Sequence, residues 1–585
     1  MAITCATVPR VPGSETVSQL NGGIIAHITE NRDKKGRGMQ PQSHLICGSL
    51  GLLCFIGAVR TSAQTPVGGI LRAGPDATAA VQTCAALRQA NFEDVTGAPA
   101  RITLAELVDV APGEFENQAA MSAAPARSSR IKQYCRVTGY VAPQNKFELR
   151  LPLPSDWNQN FFFVACGGFC GSVNSNGCNA GLARGYASVT GNGGHDSIPG
   201  FDGLWAAGAP NLQEDYAWRS NHVITLAAKA ITERFYGRPI RHSYMSGCSK
   251  GGQAVLMEAQ RFPEDFDGWM PAAPVYNLTG TNISAAWFTQ AFSDGKGGSV
   301  LNAAAAEYVH RSVLATCGAQ TGVDIGLVTE PGLCNWRPEM IACRGEASGP
   351  DCLTAAQVSA IKRLMTPVTN SNGEVLYAYP YIPGTETQWV GWNFPRNGAL
   401  ASQTANFTVS EQFVKYLADA EPRTGVDPLK FNFDRDPATL ARAHHIYDAT
   451  SYDLRALKAR GGKILMWHGL ADGGIMATSS MGYYEGVMKA MGGRQKTEEF
   501  FRLFLIPGVH HCAGGPGLTN FDALTALENW VEKGQPPAVL IAQRLASGAP
   551  ERVLPIYPYP VVPRYSGSGD PKQAGSFIPF DPTKK

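Results

Sequence analysis

Four strand-length apolar runs in this chain end directly in glycine-rich turns, and that repetition restricts the folds open to it. Phe161–Ala165 runs into Cys166-Gly167-Gly168, and His242–Met245 into Ser246-Gly247-Cys248-Ser249-Lys250-Gly251-Gly252. Lys463–Trp467 runs into His468-Gly469-Leu470-Ala471-Asp472, and Phe501–Ile506 into Pro507-Gly508-Val509-His510-His511. A mainly apolar run of this length suits a strand covered on both faces. Helical stretches such as Gln253–Arg261 lie between the runs. Strands alternating with helices predict a mainly parallel sheet, whose functional groups gather beyond the carboxyl ends of the strands.

From about Val275 to Ala449 the pattern changes. The stretch carries Cys317, Cys334, Cys343 and Cys352, many turn residues and an aromatic patch at Trp389, Trp392 and Phe394, but no strand–turn motif of the earlier kind. It reads as an insertion. The 585 residues then predict one α/β domain over 64–275 and 450–585, interrupted by a large lid over 276–449, and not the four domains that length alone suggests. The chain is 44% apolar and 17% charged, too apolar for disorder, and its 64 Gly and 39 Pro follow no collagen-like period. A formal net charge of +2 offers no electrostatic footprint for nucleic acid.

The 14 cysteines fit metal or redox chemistry in a cytosolic protein and disulfides in an exported one. The N-terminus favours export. Leu45–Val59 is free of charge, follows Arg32, Lys34, Lys35 and Arg37, and precedes Thr61-Ser62-Ala63. A basic segment, a short apolar core and small residues make a secretory signal, and the run is too short to span a bilayer. Residues 1–63 are therefore expected to be a leader, with Met39 an alternative start, and the mature protein to be secreted or periplasmic with no membrane partner. Cleavage removes Cys5, Cys47 and Cys54 and leaves eleven cysteines, an odd number.

Gly247-Cys248-Ser249-Lys250-Gly251 fits G-x-S-x-G between a strand and a helix, the setting of a nucleophile elbow. A serine nucleophile needs a base, and the base an orienting carboxylate. Asp472 and His511 follow in the order Ser, acid, His, in corresponding turns. Spacing alone leaves His510 a rival to His511, and His468 a supporting or turn residue. If Ser249 and His511 meet, Cys248 and Cys512 must lie close too, and a disulfide between them would tie elbow to base loop. One oxyanion donor is expected from the Lys250 N–H, and the other from Gly168, with Gly167 the alternative.

Gly-Cys-Ser-x-Gly-Gly paired with a late Asp and a His-Cys resembles the tannase/feruloyl esterase family. The likeness extends over CGGFCG at 166–171, AQRFPEDFDGW at 259–269, HGLADG at 468–473, PGVHHCAGGPG at 507–517 and YPYPVVPRYSGSGD at 557–570. It implies an α/β-hydrolase with a lid and a serine carboxylesterase for aromatic esters, with Ser249 as nucleophile, Asp472 as orienting acid and His511 as base. A Cys248–Cys512 bridge is implied likewise. Cys317–Cys334 and Cys343–Cys352 are expected in the lid, and Cys84–Cys135 near the N-terminus. Cys166, Cys170 and Cys178 should give one pair and one free thiol, in an order the sequence leaves open.

The chain departs from its relatives in the lid. Their Asp-rich calcium loop corresponds here to Cys317–Gly326, in which Asp324 is the one carboxylate, so a structural calcium is doubtful and no catalytic cofactor is expected. Trp389, Trp392 and Phe394 suit an aromatic acyl group and Arg396 a substrate carboxylate, although each aromatic is equally suited to lid core. Feruloyl, galloyl and terephthaloyl esters all stay open. A lipase or peptidase on the same fold is the alternative, and a non-catalytic binding protein a more distant one.

Overall fold

A computed structural model describes residues 83–116, 129–344, 349, 351–396 and 401–584. The expected leader lies outside the described residues. Among those that are described, no helix is long and apolar enough to cross a membrane.

The first strands among the described residues are antiparallel: β1 (Ala100–Asp109), β2 (Gln133–Val141) and β3 (Asn145–Pro152). Then come β4 (Asn160–Val164), β5 (Ala187–Gly191), β6 (His242–Cys248) and β7 (Gly268–Ala272). A short hairpin, β8 (Val368–Thr369) and β9 (Val375–Tyr377), stands apart from the main sheet. β10 (Lys463–Gly469) and β11 (Phe501–Ile506) return to it. The nine-stranded order is β1-β2-β3-β5-β4-β6-β7-β10-β11, parallel throughout from β5 to β11. This is an α/β-hydrolase sheet. All four apolar runs lie in its parallel block.

The reason is burial on both faces. Phe161, Phe163, Met245, Ile464 and Met466 pack into one core, while Phe162, Tyr244, Leu465 and Trp467 pack into the other. Alternate side chains of one strand thus serve opposite layers. The described residues of 276–449 add helices and the β8–β9 hairpin, and no strand of the main sheet. Their apolar core is continuous with Phe169, Tyr216, Val275, Ile475 and Met476 of the sheet domain.

Among the described residues five disulfides are present: Cys84–Cys135, Cys166–Cys170, Cys248–Cys512, Cys317–Cys334 and Cys343–Cys352. Of the three cysteines left open by the sequence, Cys178 is the free one. It is buried, and that burial pushes its thiol pKa up to about 12.

Candidate active site

β6 ends at Cys248, and Ser249 follows with φ 64° and ψ −122° ahead of the helix Lys250–Arg261. A side-chain-bearing residue rarely holds positive φ, and such strain clusters where a side chain must be presented. The glycines make room for it: a Cβ on Gly251 would come within 2.9 Å of the Ala165 carbonyl oxygen. Ser249 is partly exposed, whereas the next side chain, that of Lys250, is buried.

Asp472 follows β10 and is fully buried. Its Oδ2 accepts from His511 Nδ1 at 2.7 Å and from His468 Nε2 at 3.1 Å, and its Oδ1 from the N–H groups of Gly474 and Ile475, both at 2.8 Å. His468 Nε2 also reaches the Ile475 carbonyl, so that nitrogen carries the proton, and Nδ1 accepts from Ser480 Oγ. Burial works against the Asp472 charge, but His511 and His468 outweigh it and hold the carboxyl well below the usual range.

His511 follows β11. The geometry separates it from its neighbour, since His510 Nε2 pairs with Thr387 Oγ1 at 2.8 Å, away from Asp472. The Cys248–Cys512 bridge spans a Cα separation of 5.8 Å, and a His511 ring nitrogen lies within 4.8 Å of its sulfurs. The imidazole is thus held beside the residue that precedes Ser249. Cys512 also has φ 64°.

The turn after β4 is braced from several sides. The Cys166–Cys170 bridge closes it, and the Cys170 N–H donates to the Gly167 carbonyl at 3.1 Å. Tyr216 O–H donates to the Gly168 carbonyl at 3.1 Å, the Phe169 N–H to the Gly200 carbonyl at 2.8 Å, and His195 Nε2 to the Phe169 carbonyl at 2.8 Å. Gly168 has φ +59°, and a Cβ there would meet the Gly200 oxygen at 2.7 Å. Among the described residues the N–H groups of Gly167, Gly168 and Lys250 have no acceptor.

The expected substrate residues divide. Trp392 is partly exposed and meets the His511 ring edge-on, centroids 5.3 Å apart. Trp389 and Phe394 are fully buried in the insertion's core, with Trp389 Nε1 bonded to Thr385 Oγ1 and Phe394 packed on Phe292. They do not face the cleft. Arg396 is exposed. The degenerate calcium loop is tied by its own residues. Gln320 bonds the Glu330 carbonyl and the Thr329 and Glu330 N–H groups, while Asp324 Oδ1 takes the Gly326 N–H. One carboxylate already in use does not fit a cation that wants six to eight oxygens.

Sequence reasoning missed Tyr216, His195 and Gln388. Gln388 Oε1 accepts from the N–H groups of both Gly473 and His511 at 2.9 Å, so the insertion pins acid loop and base loop together. No local pattern marks any of the three.

A family model described as tannase and feruloyl esterase matches residues 129–579. The chain is 32% identical over 527 residues to a mono(2-hydroxyethyl) terephthalate hydrolase from Piscinibacter sakaiensis, covering 78% of this chain and 86% of that one. It is 30% identical over 433 residues to a probable feruloyl esterase B-2 from Aspergillus terreus, covering 71% and 79% respectively. A crystal structure of an esterase from Aspergillus oryzae superposes with a TM-score of 0.73 at 26% identity, covering 85% of this chain and all of that one.

Proposed function

Because the chain belongs to the tannase and feruloyl esterase family, and so hydrolyses carboxylic esters, we propose that it cleaves esters of aromatic acids through an acyl-enzyme on Ser249. The observation that carries the reading is the pairing of His511 with buried Asp472, in a loop bridged to the strained Ser249 elbow. Asp472 accepts a hydrogen bond from the Nδ1–H of His511, which leaves Nε2 as base. His511 removes the Ser249 proton as Oγ attacks the ester carbonyl, and Asp472 stabilises the imidazolium. The Lys250 N–H, with that of Gly168 or Gly167, receives the oxyanion, each donor contributing about 3 kcal/mol to the barrier reduction. His511 then protonates the departing alcohol, and water repeats the sequence on the acyl-enzyme.

Trp392, partly exposed beside His511, and Phe201, partly exposed against Trp392, give the aromatic ring of the acyl group a flat wall. In this reading residues 276–449 are the lid over the acyl side, no metal takes part, and the leader directs the protein out of the cytoplasm. Ser249→Ala should lower kcat/KM at least about a thousandfold on methyl ferulate, methyl gallate and mono(2-hydroxyethyl) terephthalate. Activity retained on all three would reject the assignment.

A further inference from the structure

Lys250 follows the nucleophile, and its side chain is buried with 3% exposure. Among the described residues its ammonium has no carboxylate, carbonyl or hydroxyl partner. It sits over the ring of Tyr216, whose centroid lies 4.3 Å from Nζ. A buried cation with no anion is costly, and a single tyrosine face compensates only part of that cost. With nothing but burial acting on it, the amine pKa falls to about 7. It gives up its charge readily, and regains it against an anion.

A second unmet donor approaches the same ring. Trp205 packs on Tyr216, centroids 5.2 Å apart, and among the described residues its buried indole N–H has no acceptor. His195, stacked on Trp205 at 3.5 Å, supplies no charge, because burial brings its pKa down to about 4. An aromatic wall connects these groups to the catalytic histidine. It runs from His511 to Trp392 (5.3 Å), Phe201 (6.5 Å), Phe169 (5.6 Å) and Tyr216 (6.2 Å). Tyr216 in turn holds the Gly168 carbonyl, so the ring that both donors approach is hydrogen-bonded to the proposed oxyanion turn.

We propose that the Lys250 ammonium and the Trp205 N–H form a subsite for an anionic oxygen on the acyl group. The enzyme would then prefer aromatic monoesters that keep a free carboxylate over neutral esters of the same shape. This preference rests on the acyl-enzyme reading of Ser249.

The test compares monomethyl terephthalate with its near-isostere methyl 4-methylbenzoate on the full chain. The wild type should favour the anionic ester in kcat/KM, and Lys250→Met should reduce that ratio about tenfold or more, through KM, as loss of a charge-assisted hydrogen bond implies. Lys250→Arg should restore most of it. A ratio unchanged in Lys250→Met overturns the subsite. Calorimetric titration with terephthalate reads the same site without turnover: equal affinity in wild type and Lys250→Met again overturns it, and a weakening of about tenfold supports it. A wild type that hydrolyses neither ester instead overturns the esterase reading, while the titration still decides the subsite.

Discussion

Ser249 and Cys512 each hold φ 64°, and the Cys248–Cys512 bridge joins the two strained turns. In the proposed mechanism Ser249 itself, and the His511 that precedes Cys512, are the groups needed in one orientation. Asp472 is the counterpart, strain-free and saturated by four donors, so its carboxylate has one direction in which to hold His511. Tyr216 is the residue whose role follows from geometry alone. Its hydroxyl fixes the Gly168 peptide, and that turn carries a proposed oxyanion donor. Tyr216→Phe should lower kcat about tenfold with little change in KM, a fraction of the loss on removing a donor outright. Steady-state kinetics on methyl ferulate reads it, and an unaltered kcat would show that the turn needs no such anchor.

The elements do one job. Four parallel strands end at the same edge of the sheet, and their turns bring together side chains that are hundreds of residues apart. β6 supplies Ser249, β10 Asp472, β11 His511 and β4 the glycine turn. That much was legible, because strand length, apolar character and turn glycines are local properties of the chain. Burial within the insertion was not. Trp389, Trp392 and Phe394 fall within six residues and are chemically alike, but one faces His511 and two fill a core. Which way each points depends on helices packed from elsewhere in the insertion. The disulfides differ in the same way by what they join. Cys248 and Cys512 are 264 residues apart and tie elbow to base loop, whereas Cys343 and Cys352 are 9 apart within the insertion. Replacing Cys248 and Cys512 together by Ser should cost about 2–4 kcal/mol of stability and most of kcat. The same change at Cys343 and Cys352 should leave kcat within about twofold of wild type, since that bridge touches none of the proposed catalytic groups. Equal losses in the two variants would contradict a bracing role.

Across the whole molecule, sheet domain and insertion share one apolar core that passes beneath the site, and His195 lies in its floor. Burial depresses the His195 pKa from 6.5 to about 4, so the unfolded chain binds the extra proton between those values. Stability from this group is therefore complete above pH 6.5 and is lost as pH falls toward 4, by at most about 1.4 kcal/mol per pH unit. Urea unfolding at pH 7, 6, 5 and 4 should show that slope, and His195→Asn should flatten it; a variant with the wild-type slope would exclude the assignment. The amino-acid sequence by itself determined the strand–turn repeats, the order in which the proposed nucleophile, acid and base occur, and the family, because these rest on short-range patterns. Tertiary structure alone decided that Cys166 pairs with Cys170 and leaves Cys178 free, that Trp392 and not Trp389 faces the site, and that Tyr216 and Gln388 hold its loops. It also left Lys250 with no anion among the described residues. Pairing, burial and an unmet charge depend on which distant segments meet, and no local pattern encodes that meeting.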